Sequence, residues 1–543
     1  MSDLDAIAEQ PVPPNQSAES DEKTSWRMPN KSIIVFCDGT GNEFRADAPH
    51  ETDTDGNSNV VKMYTALDLS LSQIAYYHPG VGTMGDPSKQ GIERWWSKVK
   101  GLAFGYGFRE NVLDAYRYLM QHYNAGDTVY IFGFSRGAYT ARALAGFLHG
   151  YGLLCRGNEG HILYAWNLYT EKLKKQRTQD DPKQTVETDF AFRDTFSHAD
   201  FMMHFVGLWD TVSSVGWITT PLRLLHLAQN PSIVIGRHAI SIDERRCFYH
   251  DNLWGDPAQI QIPPILIGTK KGEELNKLQD IAQVWFPGVH SDVGGSYGQY
   301  SAGLANVTLE WMMQEAKAAG AVFKKQRVEA VMGELVQDDP QGRTTELQCL
   351  YPRPSSWAIH KSLNWKWWAL EVFPHRYYST DADKKEILRI PWGAWRRLPD
   401  GAMLHTRVMD LDGDGYEYDS PNLQCGKRHL IAEGPWRGYG RFEAPPQKGG
   451  WRENLLVVFA FKTWLTAIPV MILWWPLTWV FSLISDEGVV PASIANAVGD
   501  LKGPVFELGA ALGNVVWVVG WSLVIAAVVV LFWTLVRLVW PRS

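Results

Sequence analysis

The hydrophobic pattern in the middle of the chain is that of alternating strands and helices. Apolar runs predict strands at Ser32 to Cys37, within "QIAYYHPGVGT", within "TVYIFGFS", at His204 to Leu208 and at Ile281 to Phe286. Residues 107–123 have helical spacing, with Val112, Ala115, Tyr116 and Leu119 on one face. Strands that are apolar throughout and alternate with helices are typical of a mostly parallel sheet covered on both faces. The predicted fold class is therefore α/β.

The hydrophobic pattern near the C-terminus is different in kind. Thr463 to Ser485 and Leu508 to Val536 contain no charged residue, and each run exceeds the ~20 residues that a helix needs to cross a bilayer. Pro469 and Pro476 predict a kink in the first run. The loop between the two runs is acidic, whereas basic residues flank the pair of runs on its outer sides. This pattern predicts a transmembrane hairpin with both ends cytoplasmic. The alternative is a pair of buried helices in a soluble core.

The ends of the chain suggest three parts. The first 29 residues are acidic, rich in proline and serine, and lack the basic-then-apolar pattern of a signal peptide, so we expect a disordered lead. Residues 30–450 are expected to form the α/β domain, with insertions, and residues 451–543 the membrane-anchoring hairpin.

Charge and cysteine content exclude several classes of function. The net charge is −7 and no basic block is present, which argues against a nucleic-acid partner. The five cysteines are scattered and show no CxxC spacing, which argues against a disulfide framework or a zinc site.

The segment "VYIFGFSRGAYTARAL" contains the pattern G-x-S-x-G, formed by Gly133, Ser135 and Gly137. A strand that passes directly into a helix forces its turn residue into a strained conformation, and small neighbours relieve the crowding. Glycines and a serine also occur in ordinary turns, so the pentapeptide alone leaves both interpretations open. The pattern makes Ser135 a candidate nucleophile.

Two further predicted strand ends carry the partners that a nucleophilic serine needs. "VGLWD" ends at Asp210 and "VWFPGVH" ends at His290, which gives the chain order serine, aspartate, histidine of α/β-hydrolases. Reactive residues in parallel sheets gather at the carboxyl ends of the strands. Asp292 is an alternative acid, and Asp210 could instead cap a helix. The nearby run "SIDERRCF" is interpreted as a buried ion-pair cluster.

Long motifs in fixed order resemble a known family. "IIVFCDGTGN", "YYHPGVGT", "GFSRGAYTARALAGFL", "VGLWDTV", "DERR" and "FPGVHSDVGGSY" are similar to the α/β-hydrolase family DUF2235, whose members include type VI secretion phospholipase effectors of the first class. The resemblance covers roughly residues 31–425. It implies an α/β-hydrolase-like fold with Ser135 as nucleophile, Asp210 as acid and His290 as base.

An ester-cleaving site also needs hydrogen-bond donors for the developing oxyanion. The backbone N–H of Arg136, which follows the nucleophile, is one candidate. The loop after the first strand offers Gly39 and Thr40 as further candidates.

No cofactor is predicted, although one acidic segment resembles half of a calcium loop. "DLDGDGYEYDS" supplies Asp410, Asp412 and Asp414, but the twelfth position is Pro421 where a bidentate glutamate is needed. We interpret the segment as a solvated acidic turn and keep calcium as the alternative.

The predicted function is that of a membrane-anchored serine hydrolase of lipid esters, most simply an A-type phospholipase. A type VI secretion effector would act in a target cell and have an immunity protein and a secretion-spike or adaptor partner, whereas a resident enzyme would lie in the bacterial inner membrane. The alternatives are a non-catalytic membrane adaptor on a hydrolase scaffold and a serine esterase of soluble substrates.

Overall fold

The computed structural model describes most of the central part of the chain. The described residues are 30–39, 42, 44, 56–80, 107–175, 191–198, 201–212, 216–217, 220–221, 230–255, 279–333, 357–364, 367–368, 371, 375–378, 386–409, 418–424 and 426–444. The predicted lead, the predicted hairpin, Thr40 and the three aspartates of the acidic turn lie outside these residues. Every helix within the described part is too short or too polar to cross a membrane.

A nine-stranded sheet dominates the described residues. Its strands are β1 (Ser32–Cys37), β2 (Gln73–His78), β3 (Thr128–Phe134), β4 (Met203–Trp209), β7 (Ile233–Ser241), β8 (Asp280–Phe286), β11 (Met403–Leu404), β12 (Lys427–Leu430) and β13 (Gly440–Glu443). Two separate hairpins pair β5 (Gly216–Trp217) with β6 (Thr220–Pro221), and β9 (His375–Tyr378) with β10 (Glu386–Arg389).

The sheet is parallel over most of its width. The strand order is β2-β1-β3-β4-β7-β8-β11-β13-β12, and neighbours from β2 to β11 pair in parallel. Only β13 and β12 add antiparallel pairs at one edge. The prediction of a mixed α/β fold with a mostly parallel sheet is confirmed.

Helices cover both faces of the sheet. They are α1 (Asn59–Ala66), α2 (Phe108–His122), α3 (Arg136–Tyr151), α4 (Ile162–Lys175), α5 (His290–Gly294), α6 (Gly303–Ala318) and α7 (Lys325–Met332). Ile33 and Val35 of β1 join a core with α2, α3 and α4, whereas Ile34 and Phe36 join a second core with α1, α6 and α7. Because successive side chains of a strand point to opposite faces, burial on both faces explains why β1 is apolar throughout.

The predicted elements agree with the observed ones, but the sheet is wider than the hydrophobic pattern indicated. The helix predicted over residues 107–123 is α2, and the five predicted strands are β1, β2, β3, β4 and β8. The pattern missed β7, whose apolar run is interrupted by Arg237 and His238, and the short strands β11 to β13.

Candidate active site

Ser135 occupies the single position between β3 and α3. Its φ of 58° and ψ of −123° lie in a region that residues other than glycine rarely adopt. A Cβ added at Gly137 would lie 2.2 Å from the carbonyl oxygen of Cys37, and one at Gly133 would lie 2.6 Å from the carbonyl oxygen of Gly137. The two glycines therefore allow the close backbone approach that holds Ser135 in this conformation.

Asp210 and His290 come from the ends of other strands at the same edge of the sheet. Asp210 directly follows β4, the neighbour of β3, and His290 begins α5 four residues after β8. The Oγ of Ser135 lies 2.8 Å from Nε2 of His290, and Nδ1 of His290 lies 2.5 Å from Oδ2 of Asp210. The three residues singled out in the sequence therefore form one continuous hydrogen-bonded chain.

The carboxylate of Asp210 is buried and fully surrounded by donors. Its Oδ1 accepts hydrogen bonds of 3.0 Å from the backbone N–H and the hydroxyl of Ser241, and Arg396 donates to both oxygens. Burial by itself raises the pKa of Asp210, but the charge of Arg396 and the hydrogen bond from His290 lower that pKa far below its usual range. These contacts therefore favour the ionised form of Asp210.

His290 lies in an apolar enclosure with charges on its backbone side. The rings of Phe134 and Tyr249 lie 4.7 and 4.6 Å from the imidazole, measured between ring centroids. Burial lowers the pKa of His290 below its ordinary value, although Asp210 acts in the opposite direction. A neutral imidazole that accepts from a serine hydroxyl is the form that can take up the hydroxyl proton.

The run "SIDERRCF" forms the buried ion pair that the sequence indicated. The carboxylate of Glu244 is completely buried and lies 2.9 Å from the guanidinium of Arg246. Its Oε2 also accepts a 3.2 Å hydrogen bond from the backbone N–H of His290. The pair therefore supports the backbone from which the imidazole projects.

Asp292 contacts a different histidine. Its Oδ1 lies 2.5 Å from Nδ1 of His360, and its Oδ2 accepts from the backbone N–H groups of Val289 and His360. The structure thus brings Asp210 and not Asp292 to the imidazole of His290.

The predicted oxyanion donors differ in the hydrogen bonds that their backbone N–H groups make. The N–H of Arg136 is at the first position of α3, where the preceding chain supplies no helical acceptor. Gly39 lies beside the serine, since a Cβ added there would be 3.1 Å from Cβ of Ser135, but its N–H donates to Oδ1 of Asp38 at 2.6 Å. Thr40 lies outside the described residues.

No group of three metal-binding side chains occurs in the part of the chain that the structure describes. The candidates Asp410, Asp412 and Asp414 are not in that part. The calcium alternative therefore stays a hypothesis of the sequence.

Sequence reasoning missed Ser241 and Arg396 as residues of the site. Ser241 ends β7, a strand that the hydrophobic pattern did not reveal. Arg396 lies in "PWGAWRRLPD", where neither of the two adjacent arginines carries a motif. No local signal distinguishes the buried arginine from its exposed neighbour.

Comparison with known proteins gives matches of three kinds. A family model described as the catalytic domain of Tle1-like type VI secretion phospholipase effectors matches residues 31–315, just over half of the chain. An uncharacterised protein of Saccharomyces cerevisiae is 28% identical over 55% of this chain and 59% of its own length. A crystal structure of an uncharacterised protein from Pseudomonas aeruginosa aligns with a TM-score of 0.31 and 17% identity, covering 60% of this chain and 49% of that one. The chain thus spans about three fifths of the yeast protein and about half of the bacterial one.

Proposed function

Because this chain belongs to the family of Tle1-like type VI secretion phospholipase effector catalytic domains, we propose that it is a serine hydrolase that cleaves the acyl esters of phospholipids. The observation that carries the proposal is the hydrogen-bonded chain from Ser135 through His290 to Asp210. Such a chain lets a weakly acidic hydroxyl act as a nucleophile, because the proton has an acceptor and the acceptor is held in place.

The proposed reaction proceeds in two halves. The Oγ of Ser135 attacks the ester carbonyl carbon while its proton passes to Nε2 of His290, and the resulting imidazolium is stabilised by Asp210. His290 then protonates the departing alcohol, which leaves an acyl group on Ser135. Water, deprotonated by His290, releases the fatty acid and restores the serine.

The oxyanion of the tetrahedral intermediate needs donors close to Ser135. We assign the N–H of Arg136 as one donor, because it is at the start of α3 and has no helical acceptor. Gly39 would serve as the second donor only after its N–H leaves Asp38. Each donor of this kind lowers the barrier by about 3 kcal/mol.

The lipid substrate and the setting are proposed from the family and from the C-terminal sequence. Membership of an effector family supports delivery into a target cell, where phospholipid is the substrate and an immunity protein protects the producer. The apolar runs of residues 451–543 are proposed to anchor the enzyme to the bilayer, which would raise the local concentration of substrate.

The test is the release of fatty acid from phosphatidylglycerol and phosphatidylethanolamine vesicles by the purified full chain. Ser135→Ala should lose several orders of magnitude in rate, whereas Ser70→Ala, which removes an exposed hydroxyl from a loop, should keep the wild-type rate. A short-chain soluble ester is assayed in parallel. Cleavage of the ester but not of vesicles would favour a soluble esterase, and failure of the wild-type chain to cleave either substrate would favour the non-catalytic adaptor.

We propose that the reaction needs no metal ion. The rate on vesicles and on the soluble ester should be unchanged after EDTA treatment. Loss of rate with EDTA and recovery with calcium would instead support a calcium loop at residues 410–421.

A further inference from the structure

Arg396 makes a two-pronged contact with the acid of the hydrogen-bonded chain. Its Nη1 donates to Oδ1 of Asp210 at 2.5 Å and its Nη2 donates to Oδ2 at 3.0 Å. Nη1 also donates to the carbonyl oxygen and the hydroxyl of Ser241, and Nη2 donates to the carbonyl oxygen of Tyr249 at 2.5 Å. The guanidinium is thereby held against both oxygens of the carboxylate.

The contact is buried from both sides. Arg396 is 7% exposed and Asp210 is 1% exposed. A guanidinium fork matches a carboxylate in a way that an ammonium group cannot, because its two N–H groups are parallel and rigid. The carboxylate therefore has little freedom to rotate away from His290.

Arg396 also places a positive charge against the carboxylate that contacts the imidazole. The charged groups that face His290 are Asp210 and Glu244, which favour its protonated form, and Arg246, which disfavours it. The charge of Arg396 acts on the same carboxylate as the imidazole, and the carboxyl of Asp251 lies within its electrostatic reach as well. Partial neutralisation of Asp210 weakens the preference of His290 for a proton.

We propose that Arg396 is a positioning residue of this site: it fixes the carboxylate of Asp210 in line with Nδ1 of His290, and its charge offsets the negative charge of that carboxylate. The proposal rests on the proposed function, since it assigns Arg396 a part in the activation of Ser135. It also extends the site beyond the region matched by the family model, which ends at residue 315.

The first experiment compares three variants of the full chain on a short-chain soluble ester across pH 4 to 9. Arg396→Met should lower kcat by about 10²-fold with little change in KM. The acid limb of the pH profile of its kcat should move to higher pH by about one unit. Arg396→Lys keeps the charge but loses the fork, so kcat should fall while the acid limb stays near the wild-type position. Arg397→Met removes the exposed neighbouring arginine and should match the wild type.

The second experiment needs no substrate. The rate at which a fluorophosphonate labels Ser135 reports how far His290 activates the hydroxyl, so it tests the positioning role even if esters are not cleaved. Arg396→Met should label more slowly than wild type and with its acid limb shifted upward, and ethylguanidinium should restore part of the rate in Arg396→Ala. Wild-type labelling in Ser135→Ala would count against the proposed function instead.

Three results would overturn the positioning role. One is wild-type kcat and labelling rate in folded Arg396→Met. Another is a loss of kcat with an unmoved acid limb in both Arg396→Met and Arg396→Lys, which a purely structural contact would give. If Arg396→Met does not fold, as judged by circular dichroism, then wild-type kcat in Arg396→Lys refutes the need for the fork.

Discussion

Replacing Asp210 by asparagine is the most informative single change to the site. The substitution conserves size but turns one carboxylate oxygen into an NH2 group. On the Oδ1 side this group would face three donors, namely the N–H and hydroxyl of Ser241 and Nη1 of Arg396. On the Oδ2 side it would face Nη2 of Arg396 and Nδ1 of His290.

The imidazole and the hydroxyl of Ser241 can both adapt, but the Oδ1 side would still set two fixed donors against an NH2 group and the Oδ2 side only one. A neutral histidine can move its proton from Nδ1 to Nε2 and accept from the new NH2 group, whereas the backbone N–H and the guanidinium cannot become acceptors. The asparagine should therefore direct its NH2 group at His290. Nε2 then carries the proton and can no longer accept a hydrogen bond from the hydroxyl of Ser135.

The expected loss in kcat is about 10⁴-fold, as for loss of the correct tautomer in other sites of this kind. That factor corresponds to about 5.4 kcal/mol of transition-state stabilisation at 1.36 kcal/mol per tenfold. The assay is initial-rate hydrolysis of a short-chain soluble ester, with unfolding in urea measured in parallel.

Asp292→Asn is the matched control, because it makes the same chemical change two residues from His290. Asp292 contacts His360 and the N–H of Val289, so the change should cost about 1–3 kcal/mol of stability while kcat stays within a few-fold of wild type. If Asp292→Asn loses more activity than Asp210→Asn, the assignment of the acid is wrong.

Three further predictions concern packing, pH and the end of the chain. Gly137→Ala should lower the free energy of unfolding in urea by roughly 2–3 kcal/mol, because its Cβ would lie 2.2 Å from a backbone oxygen, whereas Gly150→Ala in the same helix has open space and should not destabilise. The free energy of unfolding should fall as pH drops from about 6.5 towards about 3, because burial lowers the pKa of His238 and of His405 to about 3. Between these pH values the unfolded chain binds protons that the folded chain does not. A urea midpoint that does not change with pH would contradict this prediction. A chain shortened to Gly450 should cleave the soluble ester at close to the full-length rate but act weakly on vesicles, and loss of activity on the soluble ester would refute the separation of the α/β domain from the hairpin.

The sequence predicted the parts of the site that obey local rules. Ser135 is a candidate from the sequence because a strand-to-helix turn demands small neighbours. Asp210 and His290 are candidates because they end apolar runs. Parallel pairing then brings the ends of β3, β4 and β8 to one edge. The family resemblance stated from the ordered motifs is confirmed by the match over residues 31–315.

The remaining features depend on contacts far apart in the chain. Arg396 reaches Asp210 across 186 positions, and nothing in "AWRRLPD" indicates which arginine turns inward. The hydrophobic pattern does not predict β7, because Arg237 and His238 interrupt its apolar run. Their partners are supplied only by the folded protein: Asp280 and Glu315 accept from the arginine, and the N–H of Thr211 donates to the histidine. The predicted boundaries at residues 29, 450 and 451 and the membrane hairpin stay predictions.

The spacing of the site along the chain has a consequence for synthesis on the ribosome. Ser135 emerges early, His290 follows, and the guanidinium that secures Asp210 is made only at residue 396. A nascent chain therefore carries Ser135 for nearly half of the length of the chain before Arg396 is added. Because Arg396 is made last of these residues, the carboxylate of Asp210 gains its full set of hydrogen-bond donors only late in synthesis.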